Sequence, residues 1–317
     1  FVAEQTVEAL EKLGPVDGVF FDMCWNQPSV SKYAIAGMKA LDLNPEVAAD
    51  RSSYANTVAL QYMQRFYNLV KASSPEATVF FNGRQMYDLP QDIAFLEQVE
   101  IEALPTGGWG YTYFPLNVRY ARTFEKPCMG MTGKFHLTWG DFGGLKPYAA
   151  LEYETSQMIA HGARCSVGDQ LPPRGRPDPA SYALIGKAYQ RVEAREPWLE
   201  GAVSAAEVGL LRLPQKSSST TSSTSRSDEG ALRMLTQLRQ QFDVVQPDRK
   251  LERYALLVLP DAYPVDEALA QRLDTYLHNG GRILATGTSG LTPDAKAVLL
   301  PKMGIQPHGM SPFTTSY

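Results

Sequence analysis

Through roughly the first two hundred residues, short apolar runs alternate with longer amphipathic stretches, the signature of parallel strands linked by helices. The runs are Asp17-Gly-Val-Phe-Phe-Asp22, Thr78-Val-Phe-Phe-Asn82, Val99-Glu-Ile-Glu102, Pro127-Cys-Met-Gly-Met131 and Ala163-Arg-Cys-Ser-Val167. Between them, Tyr54 to Ala72 carries an apolar stripe of Val58, Tyr62, Phe66, Leu69 and Val70, and Tyr148 to His161 is a second helical candidate. Phe20, Phe21, Phe80 and Phe81 sit inside runs and read as core aromatics. Each run ends in polar or aromatic residues rather than in a simple turn. In a barrel of alternating strands and helices such ends gather at one mouth, so Asp22, Asn82, Arg84, Glu102, His136 and Asp169 are expected to converge.

About five strand-helix units are visible, whereas a closed barrel of this kind has eight. The chain has no initiator Met and opens in an apparent amphipathic helix with Val2, Val7, Leu10 and Leu13 on one side, so it reads as a fragment. The visible strands are then expected to be the fourth to the eighth of a (β/α)8 TIM barrel, with Ser181 to Val192 as the closing helix. An open doubly wound sheet would also accommodate five strands. The barrel part is expected over residues 1–200 and a second, incomplete α/β domain over 201–317. In the latter, Val208 to Leu213 reads as a strand and the Ser/Thr-rich Ser217 to Ser227 as a loop. Helix Glu229 to Phe242, strand Tyr254 to Leu259, helix Asp266 to Asn279 and strand Arg282 to Ala285 follow, with Gly280-Gly281 as a helix stop and no closing strand after Met303.

Charge excludes some partners. Thirty Lys and Arg against 34 Asp and Glu leave a net charge of -4 and no basic stripe, so nucleic acid is not an expected partner. No apolar run reaches the roughly 18 to 20 residues that span a bilayer, and no membrane association is expected. Cys24, Cys128 and Cys165 lack metal or redox spacing and read as buried thiols of a reducing compartment, which points to the cytoplasm. Export stays open, because a fragment would have lost any targeting peptide. Four scattered histidines without H-E-x-x-H give no metal site, and neither glycine-rich nucleotide fingerprint occurs, so no cofactor is expected.

Two carboxylate positions stand out. Asp22 closes the run Val19-Phe-Phe21, where it reads either as a strand-end cap or as a group whose charge is used. Glu100 and Glu102 alternate with Val99, Ile101 and Ala103, so both face one side of a strand. Like charges at that spacing raise each other's pKa, which suits a general acid, although a solvated edge strand would alternate in the same way. Glu102, nearer the strand end, is the candidate acid. Around these lie Trp25, Trp109, Tyr111 and Trp139, which can pack on the apolar faces of a sugar, while Asn82, Arg84, His136 and Asp169 can bond its hydroxyls. Gly108 and Gly110 place Trp109 in an exposed loop. His136 has no G-x-S-x-G serine near it, so a hydrolase triad is unsupported. Asp169 and Gln170 either hold hydroxyls or cap Pro172-Pro173.

The segments Asp17-Gly-Val-Phe-Phe-Asp22, Ile101-Glu-Ala-Leu-Pro105 with Gly108-Trp-Gly-Tyr111, Gly133-Lys-Phe-His136 with Trp139-Gly-Asp141, and Gly168-Asp-Gln170 together resemble the α-L-fucosidases of glycoside hydrolase family 151. These are relatives in architecture of the family 42 β-galactosidases. The resemblance implies a retaining exo-glycosidase acting on fucosylated oligosaccharides. Family 29 fucosidases place a nucleophilic aspartate at the end of the fourth barrel strand in a similar D-G-x-x-x-D segment, which implies Asp22; carrying the acid/base role to Glu102 rests on strand-end logic. Family 42 enzymes use two glutamates, on the fourth and seventh strands, and here the matching positions offer Asp22 and no glutamate between Met129 and His136. A galactosidase-like enzyme and a non-catalytic sugar-binding barrel are the alternatives. Tyr254-Ala-Leu-Leu-Val-Leu-Pro260 with Gly280-Gly-Arg-Ile-Leu284 resembles the flavodoxin-like trimerisation domain of these enzymes, which is similar to class I glutamine amidotransferases. Those need a cysteine nucleophile and none follows Cys165, so the implied role is homo-oligomer contact, as a trimer.

Overall fold

The computed structural model describes residues 1–212, 226–294 and 296–309, which form two compact units. The first holds Phe1–Trp109 and Phe124–Pro197; the second holds Gly110–Thr123, residues 198–212 and the described residues from 226 onward. A single cut at residue 200 therefore does not separate them. The expected Ser/Thr loop lies outside the described residues up to 225, as does the tail from 310.

In the first unit β1 (Gly18–Phe21) pairs in parallel with β2 (Thr78–Phe81), and β3 (Val99–Glu102), β4 (Cys128–Gly133) and β5 (Arg164–Gly168) form a second parallel ladder in that order. Neighbours in space are thus neighbours in sequence, without the reversal of a doubly wound sheet. The Glu97 carboxylate accepts from the Val79 N–H at 2.7 Å across the gap between β2 and β3, and Lys71 pairs with it at 2.8 Å. Helices α1 (Val2–Leu13), α2 (Lys32–Ala40), α3 (Ala48–Ser73), the short α4 (Leu89–Asp92), α6 (Tyr148–Ala160) and α7 (Pro179–Glu193) connect the strands, while α5 (Tyr113–Ala121) belongs to the second unit. Local chemistry sets their ends: Ser31 caps α2 through the Ala34 N–H, and Asp178 caps α7 through Ser181 with Pro179 in the first turn.

Helix α3 buries Ala55, Ala59, Met63, Phe66 and Val70, so its inward stripe is rotated from the expected one and Val58 stays exposed. Likewise α1 buries Thr6 and Leu10, leaving Val2, Val7 and Leu13 in the open. Phe21 and Phe81 stack at 5.1 Å and meet Tyr62 and Phe66 of α3. Because strand side chains alternate, Phe20 points to the other face with Asp22, Phe80 with Asn82, and Glu100 with Glu102. Phe20 is exposed rather than part of the core, whereas Phe21, Phe80 and Phe81 are buried.

The second unit is a four-stranded parallel sheet, ordered β7 (Phe242–Val245), β6 (Val208–Leu211), β8 (Leu256–Leu259), β9 (Arg282–Ala285), with α8 (Arg226–Gln237) and α9 (Glu267–His278). This order does reverse, as in doubly wound sheets. The expected helix reaching Phe242 ends instead at Gln237, and Phe242–Val245 forms a fully buried strand. Asp266 caps α9, and Gly280, at φ +90°, ends it. Segment Gly110–Thr123 joins this unit for a physical reason: Arg122 pairs with the buried Asp243 at 2.7 Å and donates to the Phe242 carbonyl, and Thr112 bonds Glu229.

Candidate active site

Asp22 follows β1, Asn82 follows β2 and Glu102 ends β3, so three parallel strands deliver three polar side chains on one face at the same end. The β1–β2 ladder runs on past the strands: Asn82 N–H donates to the Phe21 carbonyl at 2.7 Å and Cys24 N–H to the Asn82 carbonyl at 2.8 Å. That register holds Asp22 beside Asn82. The Asn82 Nδ2 then donates to Asp22 Oδ1 at 2.9 Å and to Glu102 Oε2 at 3.1 Å. One amide nitrogen thus touches both carboxylates. Bridged by a single nitrogen, the two accepting oxygens stand no more than about 6 Å apart. Asp22 Oδ1 also accepts from the Met23 N–H at 2.8 Å, at a residue with φ +61° that turns the chain sharply after the strand. Asp22 Oδ2 stays free of side-chain partners among the described residues.

Glu102 is gripped from the other side. The Trp139 indole donates from Nε1 to Glu102 Oε1 at 2.8 Å. Below it on the same face, Glu100 is buried, and burial first and Glu102 second push its carboxyl up to about 7. The expected elevation is present at Glu100, but desolvation rather than the neighbouring charge is its main cause. With Val99, Glu100 and Ile101 all buried, the solvated-edge alternative does not describe β3.

The other candidate residues are placed as follows. Trp25 is partly exposed and lies over Gly83, whose φ of +83° brings the backbone under the ring; a Cβ there would stand 3.0 Å from it. Arg84 was expected to bond sugar hydroxyls. All five of its N–H donors are instead engaged, by Asp92, the Cys24 carbonyl, Asn26 and Asn56, so it braces the loop that carries Trp25. Burial, ahead of the opposing Arg84 and the reinforcing Asp92, raises the nearby Asp88 carboxyl to about 6. Trp109 lies in a loop between Gly108 and Gly110, both at positive φ, and is partly exposed. Tyr111, also partly exposed, belongs to the second unit. His136 is exposed, and its carbonyl accepts from the Thr106 hydroxyl, which ties the loops after β3 and β4 together. Asp169 turns to Lys134 at 3.5 Å and to the Gln170 N–H at 2.8 Å.

Two further residues support the site, Gln170, read from sequence as a hydroxyl contact or a cap, and Cys24, read as a buried thiol. Gln170 pins the Trp139 loop from below, donating from Nε2 to the carbonyls of Trp139 at 3.0 Å and Asp141 at 3.3 Å. Cys24 meets the Tyr62 hydroxyl at 3.0 Å behind Asp22, and burial is the main reason its thiol is raised. Asp88 and Asp92, which sequence reasoning missed, are signalled by the spacing of four that runs from Arg84 through both. Among the described residues no group of three or more His, Cys, Asp or Glu could hold a metal ion, and no helix is long and apolar enough to cross a membrane.

Comparison with known proteins gives concordant findings. Residues 224–304 match the family model of the β-galactosidase trimerisation domain. The α-L-fucosidase isoenzyme 2 of Paenibacillus thiaminolyticus superposes with a TM-score of 0.88 at 37% identity, over 95% of this chain and 46% of that one. The β-galactosidase of Bacillus circulans sp. alkalophilus superposes at 0.61 with 14% identity, over 80% of this chain and 42% of its own, and the family 42 β-galactosidase Gan42B of G. stearothermophilus at 0.58 with 16% identity, over 76% and 41%. These two share the fold alone. No curated protein matches. The chain spans about half the length of these solved structures. It is an α/β protein of parallel sheets, similar over nearly all its length to part of an α-L-fucosidase, and it carries in residues 224–304 a match to the β-galactosidase trimerisation domain.

Proposed function

We propose that this chain is part of a retaining exo-glycoside hydrolase, an α-L-fucosidase acting on fucosylated oligosaccharides. In this reading residues 1–200 supply strands four to eight of a TIM barrel. Residues 201–317 hold a homo-oligomer together, as a trimer by analogy with the domain matched there, in the cytoplasm. The observation that carries it is the shared Asn82 amide, which keeps the accepting oxygens of Asp22 and Glu102 within about 6 Å of each other, short of the roughly 6.5 to 9.5 Å of inverting pairs.

Asp22 Oδ2 attacks the anomeric carbon as the bond from that carbon to the leaving oxygen breaks, and Glu102 passes its proton to that oxygen. Glu102, now ionised, takes a proton from water; the water oxygen bonds the anomeric carbon and Asp22 leaves as carboxylate. Trp25 and Trp109 supply apolar faces for sugar rings, and His136 a hydroxyl contact. The fucosidase reading is favoured over the galactosidase one by the 37% identity to a fucosidase.

The test is an assay of the full-length protein on aryl α-L-fucosides and aryl β-D-galactosides, with the product anomer followed by NMR. Turnover of the fucoside with retention is expected, and Asp22→Ala should lower kcat at least about 10³-fold with an unchanged circular dichroism spectrum. Full activity in Asp22→Ala, or an inverted product, would remove the mechanism.

A further inference from the structure

The sequence places Trp139 among sugar-binding aromatics, but its surroundings point elsewhere. Its one polar atom is spent on Glu102 Oε1, at 2.8 Å. Its ring is fitted against Phe135, with centroids 4.7 Å apart, and lies on the last residue of β5, Gly168. A Cβ at 168 would stand 2.3 Å from Cη2, too short to exist without a shift of the ring, and 3.0 Å and 3.2 Å from Cζ3 and Cζ2, both tight. The absent side chain is therefore the seat of the indole. Buried Gln170, two residues on, holds the Trp139 carbonyl at 3.0 Å, so backbone and ring are both anchored to the end of β5.

Resting on the reading of Glu102 as acid/base, we infer that Trp139 is its positioning residue and that Gly168 is the seat that aims the indole. An indole N–H only donates, so the oxygen it contacts, Oε1, is fixed as an acceptor. Oε2 in turn accepts from the Asn82 amide on the side of Asp22, so two donors from different strand ends together hold the carboxyl in one orientation. Glu102 cannot rotate that oxygen away without breaking both contacts. Proton donation is worth about 10²- to 10⁴-fold in such reactions, and a misaimed donor forfeits part of it.

The experiment uses the full-length protein, with Trp139→Phe to remove the donor while keeping a ring, and Gly168→Ala to unseat it. Two aryl glycosides of whichever sugar the wild type cleaves are compared, one with a phenol leaving group, which needs the proton, and one with a dinitrophenol, which does not. Expected is a loss in kcat/KM, which reports the first step, of about 10- to 100-fold for the phenyl glycoside and under about threefold for the dinitrophenyl one. Equal losses in kcat/KM on both substrates would make Trp139 a binding wall and overturn the inference. A readout independent of turnover is the Trp139 indole N–H resonance, assigned through Trp139→Phe, which should move upfield in Glu102→Ala. An unmoved resonance overturns the inference. A moving resonance in a protein that cleaves no glycoside supports the placement of Trp139 and sinks the enzymatic reading instead.

Discussion

Glu100 shows how a strand position turns into a pH dependence. Its carboxyl is buried beside Glu102 and pushed up to about 7 from the ordinary 4.5. Because the folded-state value lies above the unfolded one, the folded protein holds the extra proton between pH 4.5 and 7. Stability therefore falls as pH rises through that window and levels off above it. Discounted for partial screening, the loss is about 2 kcal/mol. Glu100→Gln is expected to match the wild type in urea midpoint near pH 4.5 and to exceed it at pH 8; identical midpoints at both would show the carboxyl to be solvated. The Glu100–Glu102 pairing on one face was readable from a period of two. The depth at which Glu100 sits was not, because burial depends on what packs against the strand.

Between β4 and α6 a second lesson appears. Lys146 is buried, and its ammonium donates to Glu154 at 2.7 Å and to the Thr132 hydroxyl at 2.9 Å, while Thr132 also donates to Glu154 at 2.6 Å. This network clips helix to strand directly below the loop that carries Trp139. Removing one charge of such a pair leaves the other desolvated, which costs about 3 to 5 kcal/mol, whereas replacing both by apolar groups is close to neutral. Lys146→Met should thus lower the urea midpoint strongly, and Lys146→Met with Glu154→Leu should recover most of it; equal losses in the two variants would show that packing, not charge, is at stake. At this scale strands β1 to β5 and the helix stop at Gly280 were legible from apolar runs and turn residues. Strand β7 was not: Phe242-Asp-Val-Val245 carries a charged residue in a short run, and Asp243 is tolerated there only because Arg122, Ser204 and Tyr254 satisfy it.

For the whole molecule, the two units differ in winding. The first runs its strands in sequence order and the second reverses, and the Asp22, Asn82 and Glu102 group lies at the strand ends of the first. The match of residues 224–304 to a trimerisation domain leads to a direct expectation: light scattering on the full-length protein should give three protomer masses. A single protomer mass at working concentration would remove the assembly role.

The sequence by itself determined the alternation of strands and helices, the helix stop at Gly280, and the delivery of Asp22, Asn82 and Glu102 to strand ends, because these follow from local periodicity and turn chemistry. Tertiary structure alone decided what each side chain does there. Asn82 reaches carboxylates 60 and 20 residues away, Trp139 one 37 residues away, and Arg84 turns from the mouth to Asp92 and Asn26. Hydrogen bonds over such separations depend on strand register and on loop packing, which no local pattern of residues encodes.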